Sequence, residues 1–317
     1  MAKEQRKFAD DGWAFWIDGD DTSNIYLNDW LNPKGNSYVD VAIQIHGVKA
    51  SKSMHIYVPF SVSQDEINDV SLSFQDRKFL QATFSSACII DYKKNAHTSE
   101  IAYNGKTVDL VHISTLDYKI APLAEGTFIE VDLEKLQPHL DNDEAYFIWR
   151  MPHKSLDEIF HQHVNVGNVL TRLRDLFTTP VITEKYNYSI RINESRRLPE
   201  AVTKIGSFHR EKLNKAVVSI SIDEKYELND AGCNCIRRLE ENLYQGYLPK
   251  DCKCADMITY QWNQDREYNA QGHFNFYYNI SKNSISRGSM LVYLILITAI
   301  SCLGSFFANI ITYLMGI

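Results

Sequence analysis

The sequence predicts an α+β protein in which strands dominate a soluble region, followed by a single C-terminal transmembrane helix. Several segments before residue 281 alternate apolar and polar residues at the two-residue period of half-buried strands. By contrast, residues 290–317 contain no Asp, Glu, Lys, Arg or His. A helix of that length exceeds the ~30 Å hydrocarbon core of a bilayer. We therefore expect β-rich cytosolic structure joined to one membrane span.

The first predicted domain, residues 1–152, is β-rich. Ser63–Asp69 is expected to form a single helical turn, and Asn104-Gly105 is a hairpin signal between two strands. The alternating pattern predicts about seven strands in one sheet. Strands are expected at residues 12–18, 38–48, 54–60, 79–92, 107–114, 127–133 and 145–151.

A second α+β part is predicted for residues 153–280. Ser155 and Glu158 have the spacing of a capping box, and an amphipathic helix is expected at 167–177, ended by Pro180. A short helix is expected at 235–244. The predicted strands of this part are 181–193, 216–223, 257–263 and 273–280, followed by a polar linker at 281–288 and the transmembrane helix at 289–317.

Basic residues are concentrated between residues 161 and 215, where ten Lys and Arg accompany five Asp and Glu in a chain of net charge −7. Arginine suits bidentate phosphate contacts, and neighbouring aromatic rings can stack on bases. We predict that this basic block binds a nucleotide or oligonucleotide; the alternative is a solvated face that forms ion pairs with acidic residues. The predicted ligand-binding residues are Arg172, Arg174, Lys185, Arg191, Arg196, Arg197, Lys204, Arg210 and Lys212.

Four cysteines form two closely spaced pairs. Cys233 with Cys235 and Cys252 with Cys254 would supply four thiolates for a structural Zn²⁺. The single residue between the members of each pair is shorter than the usual zinc spacing, however. Free thiols and a redox role therefore remain open, and no other cofactor is predicted.

No catalytic motif is present in the sequence. It contains no G-x-S-x-G elbow, Walker A sequence, G-x-G-x-x-G turn or H-E-x-x-H helix. We therefore predict that the protein is not an enzyme. The alternatives are a tail-anchored non-catalytic adaptor and a membrane-anchored enzyme.

The predicted span carries small and polar residues along one side. These residues recur at helical spacing, whereas a passive anchor is surrounded evenly by lipid and needs no such pattern. Small residues allow close approach of helices, so we predict a homo-oligomer, and four or more copies would enclose a polar pore. The predicted pore or oligomer face comprises Thr298, Ser301, Gly304, Ser305, Ala308, Asn309 and Thr312.

The flanking residues predict how the span is oriented. Residues 1–18 are charged and lack the apolar run of a signal peptide. Lys282 and Arg287 precede the span, which agrees with the positive-inside rule. We expect a single-pass protein of the bacterial inner membrane with its N-terminal domain in the cytoplasm.

This layout resembles the membrane effectors of bacterial anti-phage defence systems, most of all the Hailong-type channel effector. The resemblance is carried by the charge-free run Met290–Ile317 with its polar stripe and by the basic region Arg172–Lys215. It implies a partner nucleotidyltransferase whose DNA oligomer keeps an ion channel shut. It further implies that loss of this oligonucleotide depolarises the membrane during abortive infection.

Overall fold

The structure is a computed structural model that describes most of the chain. The described residues are 12–19, 22–32, 36–84, 97–103, 105–153, 182–205, 208, 213–228, 232–244, 246–248, 256–268, 273–284 and 287–316.

The described residues form sixteen β-strands and four α-helices, so the protein is β-rich as predicted. The strands are β1 Gly12–Asp18, β2 Thr22–Leu31, β3 Ser37–His46, β4 Ser53–Val58, β5 Asn68–Asp69, β6 Thr98–Tyr103, β7 Lys106–Val111, β8 Tyr118–Leu123, β9 Gly126–Asp132, β10 Glu144–His153, β11 Ile182–Ile192, β12 Leu213–Asp223, β13 Tyr226–Leu228, β14 Cys235–Arg238, β15 Met257–Asp265 and β16 Phe274–Ser284. The helices are α1 Arg77–Phe84, α2 Glu200–Thr203, α3 Glu241–Tyr244 and α4 Arg287–Met315.

The chain divides into two compact units. The first unit comprises residues 1–159, 189–224 and 230–277, and the second comprises 160–188, 225–229 and 278–317. The predicted division at residues 152–153 stays a prediction.

A nine-stranded sheet forms one layer of the first unit, in the order β14-β15-β12-β2-β3-β10-β7-β6, with β5 paired to β10. β2 lies at its centre, parallel to β12 and antiparallel to β3. Both of these neighbours pair with β2 over most of its length. The sheet therefore joins segments that are almost 200 residues apart, such as Tyr26 beside Val217.

A second sheet of the first unit places β1 between β11 and β4, followed by β9 and β8. Both faces of β1 are buried. On one face, Trp16 packs in a cluster with Tyr57, Leu198 and Val202. On the other, Trp13 lies 6.5 Å from the ring of His153 in the nine-stranded sheet, measured between ring centroids. The two sheets of this unit thus share an apolar core.

In the second unit, β13 pairs antiparallel with the end of β16, and α4 follows. The ammonium group of Lys282 lies 5.3 Å from the centroid of the Tyr226 ring. β16 ends at Ser284 and α4 begins at Arg287, so strand and helix residues occupy most of the predicted linker at 281–288. Pairing with β13 includes Ser281 and Lys282 of this polar segment in β16.

The C-terminal helix is confirmed as long and apolar. Within α4, Met290–Met315 spans 26 residues with a mean hydropathy of 2.3, and none of it is buried against the rest of the protein. A helix of this length and composition is able to cross a membrane.

Two predicted elements differ from the structure, and the strands predicted to form one sheet divide between two sheets. Residues 79–92 were expected to form a strand, but α1 covers Arg77–Phe84, and residues 85–92 lie outside the described part. The Asp76 carboxylate accepts a hydrogen bond from the Lys78 amide and thereby caps this helix. Residues 235–244 were expected to be helical, but Cys235–Arg238 pairs with β15 as β14, and only Glu241–Tyr244 is α-helical.

Other local predictions are confirmed. Lys106 pairs with Tyr103 across the predicted hairpin, and Gly105 has a φ of 75°, a left-handed conformation that favours glycine. Ser63 and Glu66 form a capping box at a helical turn over Gln64–Glu66, although the last residues of the predicted turn, Asn68–Asp69, form β5. The predicted helix at 167–177 and the Ser155 capping box lie outside the described residues.

Candidate functional site

The polar face of α4 is exposed, and most of its hydroxyls form hydrogen bonds within the helix. Three hydroxyls on this face each donate to the carbonyl oxygen one turn earlier, at distances of 2.9 to 3.0 Å. These pairs are Thr298 with Leu294, Ser305 with Ser301, and Thr312 with Ala308. Bonding within the helix lets hydroxyls reside in an apolar surrounding without a partner from elsewhere.

The same face is shaped for close packing. Thr298, Ser301, Ser305, Ala308 and Thr312 follow steps of three and four, the seven-residue repeat along which helices cross in left-handed bundles. A methyl group added at Gly304 would meet no atom of the described protein within 4 Å. This surface, with Asn309 beside it, is thus open to a helix from outside the described chain.

The predicted ligand-binding residues do not form one described cluster. Arg172, Arg174, Arg210 and Lys212 lie outside the described residues, and only the backbone of Lys185 is described. Arg191 and Arg196 both contact the Glu194 carboxylate, at 3.0 and 2.6 Å, and Lys204 contacts Glu200 at 2.6 Å. Arg197 ends a 3-10 turn next to this group. The ion-pair alternative therefore accounts for Arg191, Arg196 and Lys204 in the described part of the chain.

Glu194 is the centre of this ion-paired group. Burial acts to raise the pKa of its carboxyl, but hydrogen bonds and charges from Arg191 and Arg196 outweigh burial and lower that pKa below its usual value. A lowered pKa in the folded state means that the carboxylate stabilises the fold above the pKa of the unfolded chain. This contribution is lost as the pH falls through the lowered pKa.

We expect Glu194→Gln to lower the free energy of unfolding by about 1–3 kcal/mol at neutral pH, because a buried acceptor of two charged donors is neutralised. The deficit should vanish in acid, where Glu194 of the parent protein is protonated. Urea unfolding followed across this pH range measures it. Glu200→Gln is the matched control, since Glu200 is exposed and pairs with one lysine. The free energy of unfolding of this variant should be nearly that of the parent protein. Equal losses in the two variants would contradict the assignment.

The described cysteines do not assemble a metal site. Cys233 is half-buried, and its thiol contacts the carbonyl oxygens of Cys235 at 3.0 Å and Gln261 at 3.4 Å. Cys252 and Cys254 lie outside the described residues. No group of three or more His, Cys, Asp or Glu in the described part could hold a metal ion. Structural zinc stays a prediction.

Ser53, His55 and Asp18 lie together, but their geometry differs from that of a catalytic triad. Ser53 Oγ and Asp18 Oδ2 lie 3.0 and 3.1 Å from the same imidazole nitrogen, Nε2. A triad requires the serine and the carboxylate on opposite ring nitrogens, so that one activates and the other orients. This cluster therefore gives no support to a nucleophilic hydrolase.

The structure also reveals a cavity that the sequence did not predict. It has a volume of about 460 Å³ and lies in the first unit over the nine-stranded sheet. The sheet residues below it follow from strand register. Gln261, Ser219, Asn28, Asp40 and Arg150 stand side by side on five adjacent strands, and we call them the polar row.

An aromatic wall covers the cavity from outside the sheet. It consists of Phe74, Phe79, Tyr244 and Tyr247, which line the cavity from α1, α3 and adjoining turns. The rings of Phe79 and Tyr247 are stacked with centroids 4.3 Å apart, and the Phe74 ring lies 5.1 Å from that of Phe79. These contacts fix the wall as one packed surface.

The floor is fixed at one end by a buried ion pair. Asp40 accepts hydrogen bonds from Arg150 Nε at 2.7 Å and Nη2 at 2.8 Å, from Tyr247 Oη at 2.6 Å and from Trp30 Nε1 at 2.6 Å. Burial, with the Asp40 charge beside it, raises the pKa of the Tyr247 hydroxyl, which therefore remains a donor. This end of the polar row is fully satisfied.

The middle of the polar row differs from its Arg150 end. Asn28 lines the cavity, and its Oδ1 is a buried acceptor with no hydrogen-bond partner among the described residues. The strand that carries Asn28 was not predicted, although Tyr26, Asn28 and Trp30 stand at the two-residue spacing of one face of a strand. Sequence alone does not show which residues of β12 and β15 stand beside Asn28, because those pairings are long-range.

Comparisons with known proteins give no family match for the chain. No protein-family profile matches the chain, and no curated protein matches it. Among solved structures, the Mu homology domain of Fcho1 from Danio rerio, with a bound Eps15 peptide, aligns with 88% of this chain and 82% of its own. The identity is 7% and the TM-score 0.13. So low a score carries no argument about fold or function.

Proposed function

We propose that this chain is a single-pass membrane effector whose spans self-associate into an ion-conducting assembly under the control of the β-rich region. The observation that carries the proposal is the face of α4: small and hydroxyl-bearing residues at a seven-residue repeat on a charge-free helix. In lipid, helices associate through close packing and polar contacts rather than through the hydrophobic effect. A face of this composition is suited to that packing.

Conduction would require several copies, since one helix encloses no lumen. Asn309 and Ser301 would then add polar groups at the lumen or its border, where they hydrate passing ions. The β-rich region would bias the spans between arrangements through a ligand that binds one arrangement more tightly. An inner-membrane location, a cytoplasmic N-terminal region and a role in anti-phage defence with a nucleotidyltransferase partner belong to the same proposal.

The test replaces Ser301, Ser305 and Asn309 together with Leu. We expect the variant to reach the membrane but to lose ion flux through proteoliposomes, because bulky apolar side chains close the polar face. Ile300→Leu with Phe307→Leu is the matched control on the opposite side of α4 and should conduct normally. Full conductance in the triple variant would refute the pore face.

A membrane-anchored adaptor is the second candidate. The hydroxyls of Thr298, Ser305 and Thr312 are already satisfied within the helix, so a passive anchor would also tolerate them. This candidate predicts no ion flux from the unmodified protein and monomeric spans in cross-linking of proteoliposomes.

A further inference from the structure

The cavity of the first unit combines three kinds of surface in one place. Its volume of about 460 Å³ lies within the range of small-molecule sites. Polar side chains form its floor and aromatic rings its outer wall. Two cations, Lys215 and Arg237, also line it. Each of these surfaces restricts the chemistry of a ligand.

The space between floor and wall suits a flat ring. The stacked rings of Phe79 and Tyr247 hold the wall in place, and Tyr244 extends it, with its ring 5.5 Å from that of Phe79. Phe79 and the Arg150 guanidinium cover the two faces of the Tyr247 ring, so Phe74, Phe79 and Tyr244 are the rings of the wall that would contact a planar group. Every nucleobase offers a planar face for such a contact. A sugar ring or a flexible chain would use less of this wall.

The floor suits a ring with both donors and acceptors on its edge. Asn28 and Gln261 line the cavity from β2 and β15, with Ser219 between them in the polar row. Each amide offers two donors and one acceptor oxygen, and the buried Oδ1 of Asn28 has no partner among the described residues. Nitrogen heterocycles present this mixture of groups, whereas a hydrocarbon ring would leave the amides unpaired.

The charges of the lining favour an anion. Asp40 is the carboxylate of the cavity, and its charge is balanced by Arg150 through two hydrogen bonds. Lys215 lies four residues before Ser219 on β12, and Arg237 lies on the other side of the polar row, beside Thr259. Lys215 is only partly exposed, and its ammonium lies 3.7 Å from Asp265. A phosphate on the ligand would meet one of these cations at an end of the row.

We propose that this cavity binds a small nucleotide, with its base between the aromatic wall and the polar row and its phosphate at Lys215. This inference rests on the proposed function in one respect, namely that the bound nucleotide would control the spans. The size of the cavity limits the ligand to about one nucleotide. The site is separate from Arg191 and Arg196, although Lys215 is the last residue of the predicted basic block.

The experiment measures binding of AMP, GMP, CMP and UMP, the matching nucleosides and inorganic phosphate to the full chain in nanodiscs by calorimetry. At least one nucleotide should bind more tightly than its nucleoside. Asn28→Leu should weaken the binding of that nucleotide and of its nucleoside alike, by about tenfold. This variant removes no hydrogen bond within the described protein, so its thermal midpoint should not fall.

Two lysine variants separate phosphate from base recognition. Lys215→Met should weaken binding of the nucleotide by about tenfold and leave binding of the nucleoside unchanged, because the contact that is lost is the one with the phosphate. Lys204→Met is the matched control, an exposed lysine paired with Glu200, and should bind normally. Nucleotide binding that survives Asn28→Leu and Lys215→Met but is lost in Arg196→Met would overturn the site and assign the ligand to the basic block.

Failure of the site and failure of the effector proposal give different results. A folded protein that binds none of these nucleotides overturns the site, even if its ion flux depends on Ser301, Ser305 and Asn309. Conversely, nucleotide binding that needs Asn28 and Lys215 supports the site even in a protein that conducts no ions.

Discussion

Asp40→Ala is expected to lower the free energy of unfolding by about 3–5 kcal/mol, the cost of breaking a buried ion pair by removing one partner. Asp40 is only 2% exposed and accepts four hydrogen bonds. Without it, the Arg150 guanidinium stays buried beside Tyr247 and, among the described residues, keeps the bond to the Tyr247 carbonyl oxygen, at 2.6 Å. Urea unfolding of the detergent-solubilised full chain, followed by tryptophan fluorescence, measures the loss.

A second variant separates the unpaired charge from the lost packing. Asp40→Ala combined with Arg150→Met removes both charges and should lose less stability than Asp40→Ala alone. Arg196→Met is the exposed control, since the Arg196 side chain is 86% exposed although it too contacts a buried carboxylate. The Arg196→Met variant should lose no more than about 1 kcal/mol of unfolding free energy. A loss of that size for Asp40→Ala would show that the ion pair does not hold the floor of the cavity.

Strand periodicity and helix length carried most of the fold prediction. Segments such as Gly12–Asp18 and Glu144–His153 are short, apolar and bounded by turn residues, so local sequence determines them. β2 was missed because Asn24, Asn28 and Asp29 are disfavoured in strands. The positions of these residues are explained only by the sheet, where Asn28 belongs to the polar row and Asp29 is buried.

Site prediction was limited by the same long-range pairing. For the run of basic residues the pairing is instead local, since Glu194 lies within three residues of Arg191 and Arg196, and the folded chain shows that its carboxylate contacts both. The polar row joins residues from position 28 to position 261, and each looks like an ordinary surface residue in its own segment. The face of α4 was predictable because one helix carries all of it, so spacing alone places its residues together.

Leu303→Arg combined with Phe307→Arg is expected to remove the protein from the membrane fraction. Both positions lie near the middle of the 26-residue apolar stretch Met290–Met315, and each central arginine costs about 2.5–3.5 kcal/mol on insertion scales. Together they oppose insertion by about 5–7 kcal/mol, provided that the helix crosses a bilayer. Carbonate extraction of expressing cells measures the inserted fraction of chains.

The matched control carries the same two charges at the ends of the helix. Leu291→Arg with Leu314→Arg should remain inserted, because arginines within one turn of the membrane surface extend their charged groups into the headgroup region. Both double variants add the same net charge and the same helix-forming residues, so only the depth of the arginines differs. If the central pair were extracted no more readily than the terminal pair, α4 would not span the bilayer. The proposed assembly of spans would then lack its physical basis, whereas the cavity over the nine-stranded sheet would be unaffected.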